Sequence, residues 1–404
     1  MRRVGVCLML LAVASAALMG TYLKGRGDMP ENKTDFSGGD ELPYPQGTQF
    51  PMMLYSVVAE DLVSVKNEGF NLVHTYSFDR SWLEDVRRVG LHAVVPIGAY
   101  DQASLWNEPQ TENFVSSYAD DFSVAWWGLP EEMTWTVDWK LNQLVDLSSW
   151  VRRYDANKRP TYEYLAGNYI AYDIRNYVPY VDIIGIGAYV DYNEQPRQWI
   201  RWAVKQVIDG ITQAGFSVGR DYLGRERVPV AVLQMFIEGG THVQTGPESY
   251  HDVWSAVCAG AKGILVFSHS YRGRFGPDVY EAFVKAARQL TGEHDLGRVA
   301  LFGQDLPGIV TNVISGPATT PPFDSWGGKA ISFPTMNVMA REYEGKKYIF
   351  AVNDVDEPIT AKFANLPLEV TRAVVIDEGR TIPVSGASFV DSFGNWGVHL
   401  YLLE

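Results

Sequence analysis

From Phe50 to about Leu290, short β-branched or aromatic runs alternate with longer amphipathic stretches. The runs are Met52-Ser56, Leu72-Tyr76, Ala93-Ile97, Val124-Gly128, Thr161-Leu165, Ile183-Tyr189, Val230-Met235 and Gly263-Ser268. Helical patterns lie between them, among them Leu62-Glu68, Trp82-Val89, Trp139-Tyr154, Trp199-Ala214 and Val279-Leu290. Gly69, Gly90 and Gly215 close several of these, as helix C-termini prefer. This βαβα order predicts a parallel sheet covered by helices. Eight units in about 240 residues match a (β/α)8 barrel, assigned to residues 50–292. A doubly wound open sheet is the rival, but no GxGxxG or phosphate-binding loop follows an early strand.

Both flanks differ in character. Arg2-Arg3 precedes an apolar run from Val4 to Met19 that contains Ala14-Ser15-Ala16, the order of a secretory signal. Residues 1–20 are therefore expected to be a signal peptide or a membrane anchor, the run falling short of the ~20 residues of a spanning helix. An exported chain is implied, periplasmic, extracellular or tethered to the outer side of a membrane. Residues 21–49, rich in Gly, Pro and charge, are expected to form a flexible tether. After Leu290, residues 293–329 read as a connector. Residues 330–404 show short strands separated by turn signals, the clearest being Lys347-Val352, Ile359-Phe363, Thr371-Ile376 and Gly397-Leu402. They predict a small antiparallel β-sandwich that caps the barrel, with turns at Glu344-Gly345 and Glu378-Gly379.

Charge and composition narrow the chemistry. With 34 Lys and Arg against 48 Asp and Glu the net charge is −14, and no basic run is long enough for a nucleic-acid partner. Of the two cysteines, Cys7 lies in the apolar leader, so no disulfide framework or zinc knuckle is built, and Cys258 reads as a small buried hydrophobe. The seven histidines show no HExxH spacing, so neither a metal nor a cofactor is expected, and no GxSxG elbow is present. The 12 Trp, 22 Tyr and 18 Phe are a heavy aromatic load, suited to stacking on sugars as well as to a large core.

A barrel of this type carries its site at the C-terminal ends of its strands. Those ends hold Tyr55-Ser56, His74-Thr75-Tyr76, Tyr100-Asp101, Trp126 to Glu132, Tyr189-Val190-Asp191, Gln234 to Glu238 and Ser268-His269-Ser270. Carboxylates, amides, aromatics and histidine without metal-ligand spacing suit acid/base chemistry on a neutral polyol, and an oligosaccharide or polysaccharide is the expected partner. The segment Val124-Ala125-Trp126-Trp127-Gly128-Leu129-Pro130-Glu131-Glu132 resembles the fourth strand of clan A retaining glycoside hydrolases, where a Trp/Tyr-rich strand ends in a Glu next to Pro. Asp182 to Tyr189, Pro229 to Phe236 and Ala261 to Ser268 resemble the sixth, seventh and eighth strands of that superfamily. Phe389 to Phe393 with Gly397 to Tyr401 is similar to the sandwich that often follows such barrels.

The resemblance implies that Glu131 is the acid/base, with Glu132 as its immediate alternative. It places the nucleophilic Glu at the end of strand seven, where this chain has Gln234, and an amide does not replace a carboxylate nucleophile. Glu238 is the nearest substitute; Asp191 and Glu163 are others. Trp126, Trp127, His74, Tyr76, Tyr100, Tyr189, Gln234 and His269 are the candidate sugar-binding residues. Plainer readings stand beside these. Pro130-Glu131-Glu132 also suits the first turn of a helix, and Trp126 and Trp127 point to opposite faces of a regular strand. The expected function is an exported, retaining glycoside hydrolase acting on an extracellular or cell-envelope polysaccharide. A non-catalytic glycan-binding protein on a degenerate barrel, or a transglycosylase, is the alternative.

Overall fold

The computed structural model describes residues 41–97, 107–132, 138–237, 242–274, 277–325 and 328–404. The leader expected at 1–20, the tether as far as residue 40, Tyr100 and Glu238 lie outside the described residues.

Eight parallel strands form the barrel: β1 (Met52–Leu54), β2 (Leu72–His74), β3 (His92–Pro96), β4 (Val124–Gly128), β5 (Thr161–Ala166), β6 (Ile183–Ala188), β7 (Glu226–Gln234) and β8 (Ile264–Phe267). Each pairs with its sequence neighbour, β8 pairs back onto β1, and β6 pairs with β7 from Ile183↔Val228 to Ala188↔Leu233, so no edge is left open. Both faces of every strand are covered, which explains why the strands read as nearly continuous apolar runs. Met53, Leu72, Val94, Trp126, Tyr162, Val230 and Leu265 fill the interior. Alternate residues such as Leu54, Val73, Val95, Trp127 and Leu165 pack under the helices.

The main barrel helices are α1 (Leu62–Asn67), α2 (Arg80–Val89), α3 (Glu108–Tyr118), α4 (Asp138–Tyr154), α5 (Ala171–Ile174), α6 (Trp199–Gln213), α7 (Gly246–Cys258) and α8 (Pro277–Thr291). Helix α2 shows how local sequence sets their limits. The Asp79 side chain accepts the Trp82 N–H at 2.8 Å to start it, and Gly90 ends it at φ 74°, a left-handed conformation that costs glycine nothing.

The tether was expected to reach residue 49, yet 41–49 fold back on themselves. Tyr44 donates its N–H to the Gln49 carbonyl at 2.8 Å, and its ring joins the interior cluster against Phe302. Apolar burial of Tyr44 beneath the strands' N-terminal ends outweighs the local polar composition. The expected connector, 293–329, likewise carries structure. It contains helix α9 (Leu296–Phe302) and strands Gln304–Asp305, Val310–Ser315 and Phe323–Asp324.

The C-terminal part holds a six-stranded antiparallel sheet and a three-stranded one. Strands Met336–Tyr343, Lys346–Asn353 and Val398–Leu403 form the centre of the larger; Val310–Ser315, Ile359–Ala364 and Ser388–Phe393 form the smaller. Ile349, Ala351 and Tyr401 face Phe363 and Phe389 of the smaller sheet. Phe350, Val352 and Leu400 face the other way and join the barrel core, with Phe350 edge-on to Trp254 of α7 at 5.1 Å. The larger sheet is thus a middle layer buried on both sides. Replacing Phe350 with Ala is expected to cost about 3–5 kcal/mol, read from a shift of the denaturant midpoint, with barrel and sandwich still unfolding together.

Candidate active site

The strand ends converge on Glu131, half-buried in the turn after β4. Its Oε2 accepts a hydrogen bond from the Tyr76 hydroxyl at 3.0 Å, and Tyr55 bonds to the same carboxylate. The Tyr55 hydroxyl also lies 2.6 Å from that of Tyr162 on β5, which extends the network into the barrel. Burial pushes the Glu131 carboxyl up to about 8; Glu132 adds to the shift, while the Tyr76 and Tyr55 hydrogen bonds oppose it. At neutral pH the group carries a proton. Tyr55, Tyr162, Tyr164 and Tyr189 are all held well above the usual phenol range, burial being the main cause, so they remain neutral donors in alkaline solution.

Local sequence explains this convergence. A register shift between Ala93 and Val94 opposes Val94 to Trp126, and Trp126 turns into the interior, 5.9 Å from Tyr162. On β5 the two-residue period sends Tyr162 and Tyr164 inward and Leu165 outward. Tyr76 keeps 38% of its surface exposed and stacks on Tyr55 at 6.3 Å. Tyr189 stacks on Tyr164 at 6.1 Å and meets Phe236 edge-on at 5.0 Å; Phe236 meets Phe267 at 5.7 Å. The result is an aromatic mouth around one protonated carboxyl, able to hydrogen-bond hydroxyls and to deliver a proton to a bound oxygen.

Several candidates lie elsewhere. Trp127 is fully buried on the helix side, donating Nε1–H to Asp155 at 2.8 Å, because strand alternation places it opposite Trp126. It therefore cannot line the mouth. His269 is also buried, its Nε2 2.5 Å from Arg272 and its ring against Tyr280 rather than the tyrosine cluster. Its pKa falls to about 4, through burial and the Arg272 charge. His74 lies behind the mouth, packed on Tyr55 and Tyr76 at 4.7 and 4.8 Å, and burial lowers its pKa to about 3, so it supports these rings as a neutral imidazole.

Gln234 is 4% exposed, and both ends of its amide serve the backbone: Oε1 accepts the Tyr192 N–H at 3.0 Å, and Nε2 donates to the Phe236 carbonyl at 2.9 Å. It fixes the loops after β6 and β7. Asp191 is engaged by Arg197 at 3.1 Å, a guanidinium that also holds Glu248 and Asp252. Glu163 alternates outward from Tyr162 and Tyr164, and so leaves the mouth. Tyr55 and Phe236 stand at the strand ends but not among the sugar-binding candidates read from sequence, and Tyr162, Tyr164 and Phe267 are likewise absent from those candidates. Their signal was the inward period on β5 and the aromatic ends of β1, β7 and β8. Among the described residues no cluster of side chains fits a metal ion.

No protein-family model and no curated protein sequence matches the chain. Solved structures do. An alpha-amylase from Geobacillus thermoleovorans, solved with acarbose, is similar at 9% identity over 88% of this chain and 98% of that one, with a TM-score of 0.53. The chain shares its fold. A Bacteroides fragilis protein described as an alpha-galactosidase/melibiase matches at 9% identity, over 88% and 79% of the two chains, with a TM-score of 0.53. A maltogenic alpha-amylase from Thermotoga neapolitana matches at 10% identity, over 87% and 99%, with a TM-score of 0.51. At these identities the likeness extends to the fold of barrel and C-terminal sheets.

Replacing Tyr76 with Phe removes a hydrogen bond that favours ionised Glu131, so the Glu131 titration is expected to move upward from about 8. Carbon-13 NMR of labelled glutamate, assigned with Glu131→Gln, measures this shift.

Proposed function

We propose that the chain is an exported glycoside hydrolase acting on an extracellular or cell-envelope polysaccharide, with Glu131 as its proton donor. The observation that carries the reading is the half-buried Glu131, pushed to about 8 and ringed by tyrosine hydroxyls at the C-terminal end of a barrel. Glycosidic cleavage needs a carboxylic acid that retains its proton near neutrality and delivers it to the leaving oxygen. Exposed Tyr76, with Tyr189 and Phe236, offers faces and hydroxyls suited to a sugar ring.

The second carboxylate is assigned in this proposal to Glu238, four residues beyond Gln234 in the sequence. Hydrolysis is read as retaining, by a covalent intermediate on that group, which water then releases with Glu131 acting as base. Export rests on the leader at residues 1–20; no helix among the described residues is long and apolar enough to cross a membrane. A non-catalytic glycan-binding role is favoured by one observation, the use of Gln234 as a backbone brace where a carboxylate is expected.

Reducing-sugar release from a panel of bacterial envelope glycans and plant polysaccharides separates the readings. Release by the parent chain is expected, with a loss of about 10²-fold or more in Glu131→Gln. Binding without release from any polysaccharide selects the glycan-binding role. The parent's kcat/KM is expected to fall as pH rises through about 8, because deprotonation of Glu131 removes the donor. Proton NMR of the first-formed anomer tests retention, and an inverted product rules out the covalent route.

A further inference from the structure

The ring of His251 on α7 is fully buried, and each of its nitrogens meets a carboxylate. Nδ1 lies 3.0 Å from Oδ1 of Asp252, its neighbour on the helix. Nε2 lies 3.1 Å from Oδ1 of Asp354, which follows the sheet strand Lys346–Asn353. An ionised carboxylate only accepts hydrogen bonds, and a neutral imidazole has one N–H to give. Both partners are satisfied only when the ring carries both protons. Asp252 also accepts from Arg197 at 2.6 Å and from Gln244 at 3.1 Å; Asp354 also accepts from Ser255 at 3.1 Å and pairs with Arg201 of α6 at 3.4 Å. Arg197 in turn holds Asp191 in the loop after β6 that starts from Tyr189 of the mouth. With a charged His251, negative and positive side chains alternate without a break from that loop, through α7, to the C-terminal sheets.

We propose that His251 is a proton-operated clasp: as an imidazolium it ties α7 to the C-terminal sheets, and loss of its proton in alkaline solution opens this joint. The clasp is independent of the role given to Glu131. Deprotonation turns one nitrogen lone pair toward a carboxylate and removes a positive charge from a buried chain, which leaves an acid there uncompensated. The groups facing the ring are Asp252 and Ser255 from α7, Asp354 from the sheets and the Trp396 ring at 5.1 Å. Arg197, Arg201 and Gln244 act on it through the two aspartates, and Asn337 through Ser255. Glu248, which shares Arg197, is met by His242 at 2.9 Å. The Cys258 thiol on the same helix is pushed up by burial and stays neutral. Burial pushes the His251 pKa down, but the hydrogen bonds and charges of Asp252 and Asp354 prevail and hold it above the ordinary 6.5. A folded-state value above that of the unfolded chain stabilises fully below 6.5, and the contribution is lost as pH rises through the folded value.

Nitrogen-15 NMR of the histidine-labelled full chain reads the ring directly, with His251 assigned by its contact with Trp396. Both nitrogens are expected to carry protons at neutral pH, with a midpoint above 6.5. Asp354→Asn keeps an acceptor oxygen and removes the charge, and is expected to lower that midpoint by on the order of one pH unit. In urea unfolding, the gap in denaturant midpoint between the parent and His251→Gln is expected to shrink as pH rises through the NMR midpoint. Hydrogen exchange of residues 353–357 is expected to quicken over the same range relative to β3. A neutral His251 ring in the parent at neutral pH overturns the proposal, as does a midpoint unmoved in Asp354→Asn. So does a ring that titrates while the stability gap and the exchange stay constant, since the joint would then not respond to the proton. Should His251→Gln fail to fold, the exchange step of the parent is compared with that of Asp354→Asn, which must move to lower pH together with its NMR midpoint.

Discussion

Closure of the barrel by the β6–β7 pairing is the constraint on which the site depends. Without it, the ends of β1, β2, β4, β5 and β6 would lie along an open edge, and Tyr55, Tyr76, Glu131, Tyr164 and Tyr189 would not meet. A closed parallel sheet turns residues far apart in sequence into a ring. Tyr55 and Tyr162 reach hydrogen-bond distance across 107 positions for this reason. Closure also removes water from the interior, so the aromatic side chains there both fill space and set the dielectric around the carboxyl.

That environment places two effects in opposition at Glu131. Burial disfavours the charged carboxylate, while the hydroxyls of Tyr76 and Tyr55 stabilise it. Burial prevails, which leaves a protonated acid held by directional partners. The same partners orient it: a carboxyl fixed by hydrogen bonds loses little entropy when a ligand oxygen arrives. Gln234 contributes rigidity of another kind. By bonding the Tyr192 N–H and the Phe236 carbonyl it holds two loops that carry the aromatic wall.

The C-terminal sheets stabilise this arrangement from outside. Their larger sheet packs Phe350 on Trp254, and Asp354 accepts hydrogen bonds from both His251 and Ser255 of α7. Beside them, Arg197 of the β6–α6 loop holds Asp191, Glu248 and Asp252 in a buried cluster. Such charges are costly to desolvate and are tolerated here because each has a partner. They couple the loops after β6 and β7 to the sandwich, which braces the wall of the mouth from outside.

The sequence alone determined the eight-strand alternation and several strands of the C-terminal sheets, because period and turn chemistry are local properties. It also pointed to the strand ends as the place of chemistry. Which face each residue takes was decided only by tertiary structure. Trp126 and Trp127 are equivalent in composition, yet a register shift sends one inward, and Asp155, 28 positions from Trp127, binds the other beneath the helices. His269 and Gln234 looked available at strand ends until Arg272 and the backbone of Tyr192 and Phe236 engaged them. Tyr44 lay in a polar segment that gave no sign of burial. Long-range partners cannot be read from spacing, and a buried polar group takes its role from whichever partner satisfies it.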